Sequence, residues 1–63
     1  MDDDNIVRYA LEAAWNTWTA DAKRENEAAG KANSPIATSI HRENARGFSA
    51  MAEHARRLAL SME

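Results

Sequence analysis

The sequence has no cysteine, one proline and two glycines among 63 residues. Lack of cysteine removes both disulfides and thiolate metal sites as ways of holding a small chain together. Scarcity of helix breakers permits long uninterrupted helices. Aromatic residues are sparse too: Tyr9, Trp15, Trp18 and Phe48 make up the whole set. No apolar run approaches the roughly 20 residues that span a bilayer, so no membrane role is expected. The acidic start Met1-Asp2-Asp3-Asp4 is opposite in sign to the basic start of a signal peptide. A net charge of −2 lacks the overall positive charge of a general nucleic-acid binder. A cytoplasmic protein fits these absences.

Large apolar side chains are the next shortage. Half of the hydrophobic positions are alanine, which leaves only fourteen larger side chains for a core. Chains below roughly 70–80 residues usually lean on disulfides, a metal or self-association. Self-association is therefore the expected source of stability. A mean hydropathy of −0.66 would suit disorder, but two tryptophans and a regular apolar period argue for a folded chain.

The one punctuated break is Gly30-Lys31-Ala32-Asn33-Ser34-Pro35. Gly30 suits the left-handed position that closes a helix, Ser34 suits an N-cap, and Pro35 suits the first helical position. Asp4 or Asp3 is a natural cap for the first helix, and the acidic triplet complements its N-terminal dipole. The expected organisation is a single domain, 1–63, with helices over about 5–29 and about 35–61 joined by a loop at 30–34. This is an all-α antiparallel αα-hairpin, expected to dimerise into a four-helix bundle.

Apolar spacing supports two helices. Phe48, Met51, Ala55, Leu58 and Met62 step by 3 and 4 along the second, and Val7, Leu11, Ala14, Trp18 and Ala22 do so along the first, widened by Ile6 and Trp15. Folding about the loop places Trp18 beside Gly47, a large-to-small match that would explain a glycine inside a helix. The alternative is that Gly47 is merely tolerated or marks a kink. Toward the loop, Glu25, His41 and Asn44 fall at or beside the inward face, so that half is either wetter or binds something.

Candidate chemistry is thin. A metal site assembled from Glu25, His41 and Glu43 ranks last, because no Glu-x-x-His or His-x-x-x-His spacing exists; no cofactor is expected. Nucleophilic catalysis needs an exposed nucleophile on a strained turn, and none is indicated, so the expectation is a protein that is not an enzyme. Charge is uneven: residues 1–30 sum to −4 and residues 31–63 to +2. Arg42, Arg46, Ser49, Glu53 and Arg56 share one helical face, with Arg57 beside it. This face reads either as solvated, with a Glu53–Arg57 pair, or as a site for an anion, with His41 added. Along the first helix, Arg8–Glu12, Lys23–Glu27 and Glu27–Lys31 have pairing distances of four residues and read as an exposed face.

The leading expectation is a non-enzymatic interaction module, a regulator, adaptor or inhibitor of the kind found in phages and mobile elements. It would act as a homo-oligomer, with Tyr9, Trp15, Trp18, Phe48 and Met51 as its contact residues, since aromatic side chains anchor protein interfaces. A hairpin alone covers one tryptophan and hardly both, so this surface needs a partner, either a second copy or another protein. The competing expectation is a binder of RNA or a small anion such as a nucleotide, through Arg42, Arg46, Arg56, Arg57 and His41.

Overall fold

The computed structural model describes residues 3–63, and all regular structure among them is helical. Helix α1 runs over Asp3–Lys31 and helix α2 over Pro35–Ser61. The two pack along their length as an antiparallel αα-hairpin. None of the described helices is long and apolar enough to cross a membrane.

Ser34 ends the connection as anticipated. Its backbone is extended, its hydroxyl accepts the Ala37 N–H at 3.1 Å, and its carbonyl accepts both the N–H and the hydroxyl of Thr38 at 3.0 Å. Pro35 then enters the helix where its missing N–H costs nothing. Gly30 behaves differently from expectation. It lies inside α1 and has no positive φ, so α1 continues to Lys31 and only Ala32, Asn33 and Ser34 connect the helices. The Ala32 N–H reaches the Ala29 carbonyl at 3.4 Å, tightening the end of α1 without a left-handed residue. Asp3 and Asp4 lie within the first turn of α1, where their charge complements the dipole; the cap position itself falls outside the described residues.

The core is made of alanine. Among the described residues Ala22, Ala29, Ala45, Ala52, Ala55 and Ala59 are buried, and no larger side chain joins them. The seam follows Leu11, Trp15, Trp18, Ala22, Glu25, Ala29 and Ala32 on α1, and His41, Ala45, Phe48, Ala52, Ala55, Ala59 and Met62 on α2, each at least half-buried. Both series alternate steps of 3 and 4, the spacing of coiled-coil seams.

This corrects two expected stripes. Met51 and Leu58 are exposed, and their places at the seam are taken by Ala52 and Ala59. Val7 and Ile6 are exposed as well, whereas Trp15 joins Trp18 at the seam. The physical reason is volume. Two indoles and a phenyl ring on facing helices need small residues opposite, and alanine also lets the backbones come close. Trp18 therefore sits at the level of Phe48 and Ala52. Gly47 is exposed, and a Cβ built on it meets nothing within 4 Å, so it is no notch for the indole. Helix α2 continues through it without a break.

The result is a rod. Its radius of gyration is 14.6 Å and its extents are 49 × 15 × 11 Å, whereas a compact domain of this length has a radius near 11 Å.

Candidate functional site

Three features of the hairpin bear on function: a polar step in the seam and two unlike flanks. At the polar step, Glu25 of α1 faces His41 and Asn44 of α2. One carboxylate oxygen lies 2.6 Å from His41 Nδ1, and the other accepts Asn44 Nδ2–H at 3.4 Å. Glu25 and His41 are half-buried while Asn44 is exposed. The sequence placed this trio together correctly. Glu25 is the shared partner of both His41 and Asn44. Among the described residues no group of three or more metal-ligating side chains is gathered, and Glu43 is turned to Arg46 at 2.7 Å instead.

One flank of the hairpin is charged. Asn26, Arg42, Ala45, Arg46 and Ser49 line an open groove of about 270 Å³ there. Helical spacing brings Arg42, Ser49 and Arg56 to the same side of α2, and Asn26 reaches that side from α1. The arginines singled out from the sequence are mostly engaged. Arg46 pairs with Glu43, Arg57 with Glu53 at 3.3 Å and Arg56 with Glu53 at 3.4 Å. The Arg56 guanidinium also stands 5.8 Å from the centre of the Trp15 ring, a cation–π distance. Reading Arg56 as a member of an anion-binding row missed that contact, although both residues lie at one level of the hairpin. Among the described residues Arg42 has no carboxylate partner.

The opposite flank is uncharged along α2. Ala37, Ile40, Asn44, Gly47, Met51, His54 and Leu58 recur at steps of 3 and 4, roughly a quarter turn round α2 from the seam. None is an acid, a lysine or an arginine, although 29% of the chain is charged. Ile36, at the edge of this stripe, is 74% exposed, Ile40 55%, Met51 43% and Leu58 42%. On α1 the same flank holds Val7, Ala10, Ala14, Thr17 and Ala28. The row also holds Asp3, Asp21, Arg24 and Lys31, of which Asp21 and Arg24 pair with each other. That pair lies at a spacing of three residues, and the anticipated pairs Arg8–Glu12, Lys23–Glu27 and Glu27–Lys31 do not form.

The five expected contact residues separate between these features. Trp15, Trp18 and Phe48 are half-buried in the seam, both tryptophans being partly covered by the hairpin itself. Met51 lies on the uncharged flank, and Tyr9 is 61% exposed on the outer side of α1. Sequence reasoning missed Ile36, Ile40 and Leu58 as surface residues. Their spacing with Met51 is the signal, but helical spacing fits Met51 and Leu58 to the seam equally well.

Comparison of the chain with protein-family models, curated protein sequences and solved structures finds no match in any of the three.

Proposed function

We propose that this chain is a small non-enzymatic interaction module that works as a homo-oligomer, two hairpins burying the flank that carries the uncharged α2 stripe to form a four-helix bundle in the cytoplasm. The observation that carries this reading is the division of apolar side chains. The hairpin buries alanines, and Ile36, Ile40, Met51 and Leu58 stay outside on one flank. Apolar side chains recurring along one flank, spaced by Asn44, Gly47 and His54, offer a surface for a second copy to cover.

Surface area supports the same reading. The hairpin exposes 4700 Å², whereas a folded chain of its mass exposes about 4000 Å² by the usual size scaling. An excess of about 700 Å² is close to the roughly 800 Å² that each partner contributes to an interface of standard size. Such a bundle would present Tyr9 and the charged flank outward, as a regulator, adaptor or inhibitor presents a surface to a further protein.

Replacing both Met51 and Leu58 with glutamate tests the reading. Both residues lie outside the seam, so helicity should survive while self-association weakens by tenfold or more, as read by sedimentation velocity. Unchanged association would contradict it.

A second reading, binding of a phosphate-bearing ligand such as RNA or a nucleotide, rests on the groove of Asn26, Arg42, Arg46 and Ser49. Its lining side chains include hydrogen-bond donors and no carboxylate. It ranks second because Arg46, Arg56 and Arg57 are paired with glutamates and His41 with Glu25. Titration with labelled RNA or a nucleotide over a salt series tests it, since phosphate contacts weaken steeply as salt rises.

A further inference from the structure

We infer that α2 pairs with α2 of a second copy, antiparallel, with Gly47 at the twofold axis; this rests on the homo-oligomer reading and specifies its geometry. Glycine in mid-helix is destabilising relative to alanine, and nothing inside the hairpin requires it at this position. Gly47 has no positive φ, and a Cβ there meets nothing within 4 Å. The missing side chain leaves open space on the outside of α2, in the middle of the uncharged stripe. Its physical use is close approach of another backbone.

The arrangement of the stripe selects the occupant. Ile36 and Leu58 stand eleven residues on either side of Gly47, and Ile40 and His54 stand seven on either side. Asn44 lies three before it and Met51 four after. An antiparallel pairing centred on Gly47 sets Ile36 against Leu58 of the partner subunit and Leu58 against the partner's Ile36. Ile40 then meets the partner's His54, and Asn44 the partner's Met51. A twofold interface is self-complementary by necessity, with each contact occurring twice. The Ile36–Leu58 pairs meet that requirement with apolar side chains on both sides, and Gly47 meets its own copy at the axis. Along α2 no like charges oppose this approach, because the stripe holds none; beside it on α1, Asp21 pairs with Arg24, and Asp3 and Lys31 lie at the two ends of the helix.

The parallel-ended alternative, with both loops at one end, would set α2 against α1 of the partner and leave the two copies of Gly47 apart. Cysteine substitution separates the cases, since the chain has no cysteine of its own. Gly47→Cys under mild oxidation should give a disulfide-linked dimer, because that bond needs Cα atoms about 4.4–6.8 Å apart. Ser49→Cys, exposed on the opposite flank, should stay unlinked. Sedimentation of the unmodified chain is run alongside. A two-chain mass without a Gly47→Cys link would overturn this pairing and leave self-association standing; a single-chain mass would overturn both. Gly47→Leu supplies an independent check. It should keep its helicity by circular dichroism and raise the dimer dissociation constant about tenfold or more, the effect of overpacking a close contact. An unchanged constant would overturn the pairing.

Discussion

Glu25 occupies a seam position between two buried alanines, Ala22 and Ala29, and its carboxylate is shared by His41 and Asn44. Such partly exposed hydrogen bonds contribute about 0.5–1.5 kcal/mol each. Glu25→Ala should therefore lower stability by about 1 kcal/mol, a fall of roughly 4–8 °C in melting temperature for a domain of this size. Replacing Glu25 and His41 together with leucine should restore or exceed the original stability, because well-packed apolar pairs commonly match a polar pair at a buried seam. Thermal melts of the two variants check both statements. Ala55 is 2% exposed, so Ala55→Leu should cost about 1–3 kcal/mol by overpacking, whereas leucine at the exposed Ala50 should be nearly neutral. The polar trio was legible in the sequence because it depends only on distance from the loop. The alanine seam was not. Met51 and Ala52 are neighbours, as are Leu58 and Ala59, and either series satisfies helical spacing. Hydrophobicity favours the first, but the volume of Trp15, Trp18 and Phe48 on the facing surfaces selects the second.

At the level of elements, the two helix boundaries at the connection have different origins. The start of α2 is fixed by side-chain chemistry, Ser34 accepting the Ala37 N–H just ahead of Pro35. Ser34→Ala should cost about 1 kcal/mol, and Ser34→Gly only a few tenths; urea unfolding of the pair measures the difference. This boundary was readable because the cap and the proline both act locally. The end of α1 was not, since Gly30 permits a left-handed turn without requiring one, and α1 runs on to Lys31. Gly30 is helical and has open space where a Cβ would stand. Gly30→Ala should therefore stabilise the protein by about 0.5–1 kcal/mol. Gly47 looks the same within one hairpin, yet Gly47→Ala should bring no such gain in the assembled protein if two copies meet there. Opposite outcomes at two similar glycines would tie the difference to association.

The whole molecule is a rod with an alanine seam, a charged flank and a flank that is uncharged along α2. That asymmetry was partly visible in composition. Few large apolar residues in a chain without cysteine are the ground for expecting a second copy. Composition located the shortage in the core as a whole. The folded chain shows that several of the scarce large side chains are present but face outward: Ile36, Ile40, Met51 and Leu58 lie on one side. A chain stabilised by its own assembly melts at a temperature that rises with its concentration, and dilution should lower the midpoint of this one. The most direct test is the mass of the unmodified chain in solution, measured by sedimentation equilibrium from low to high micromolar concentration. The account predicts twice the 7.0 kDa of a single chain as the helical signal reaches its plateau. A fully helical species at the single-chain mass, melting cooperatively at a temperature independent of concentration, would contradict it.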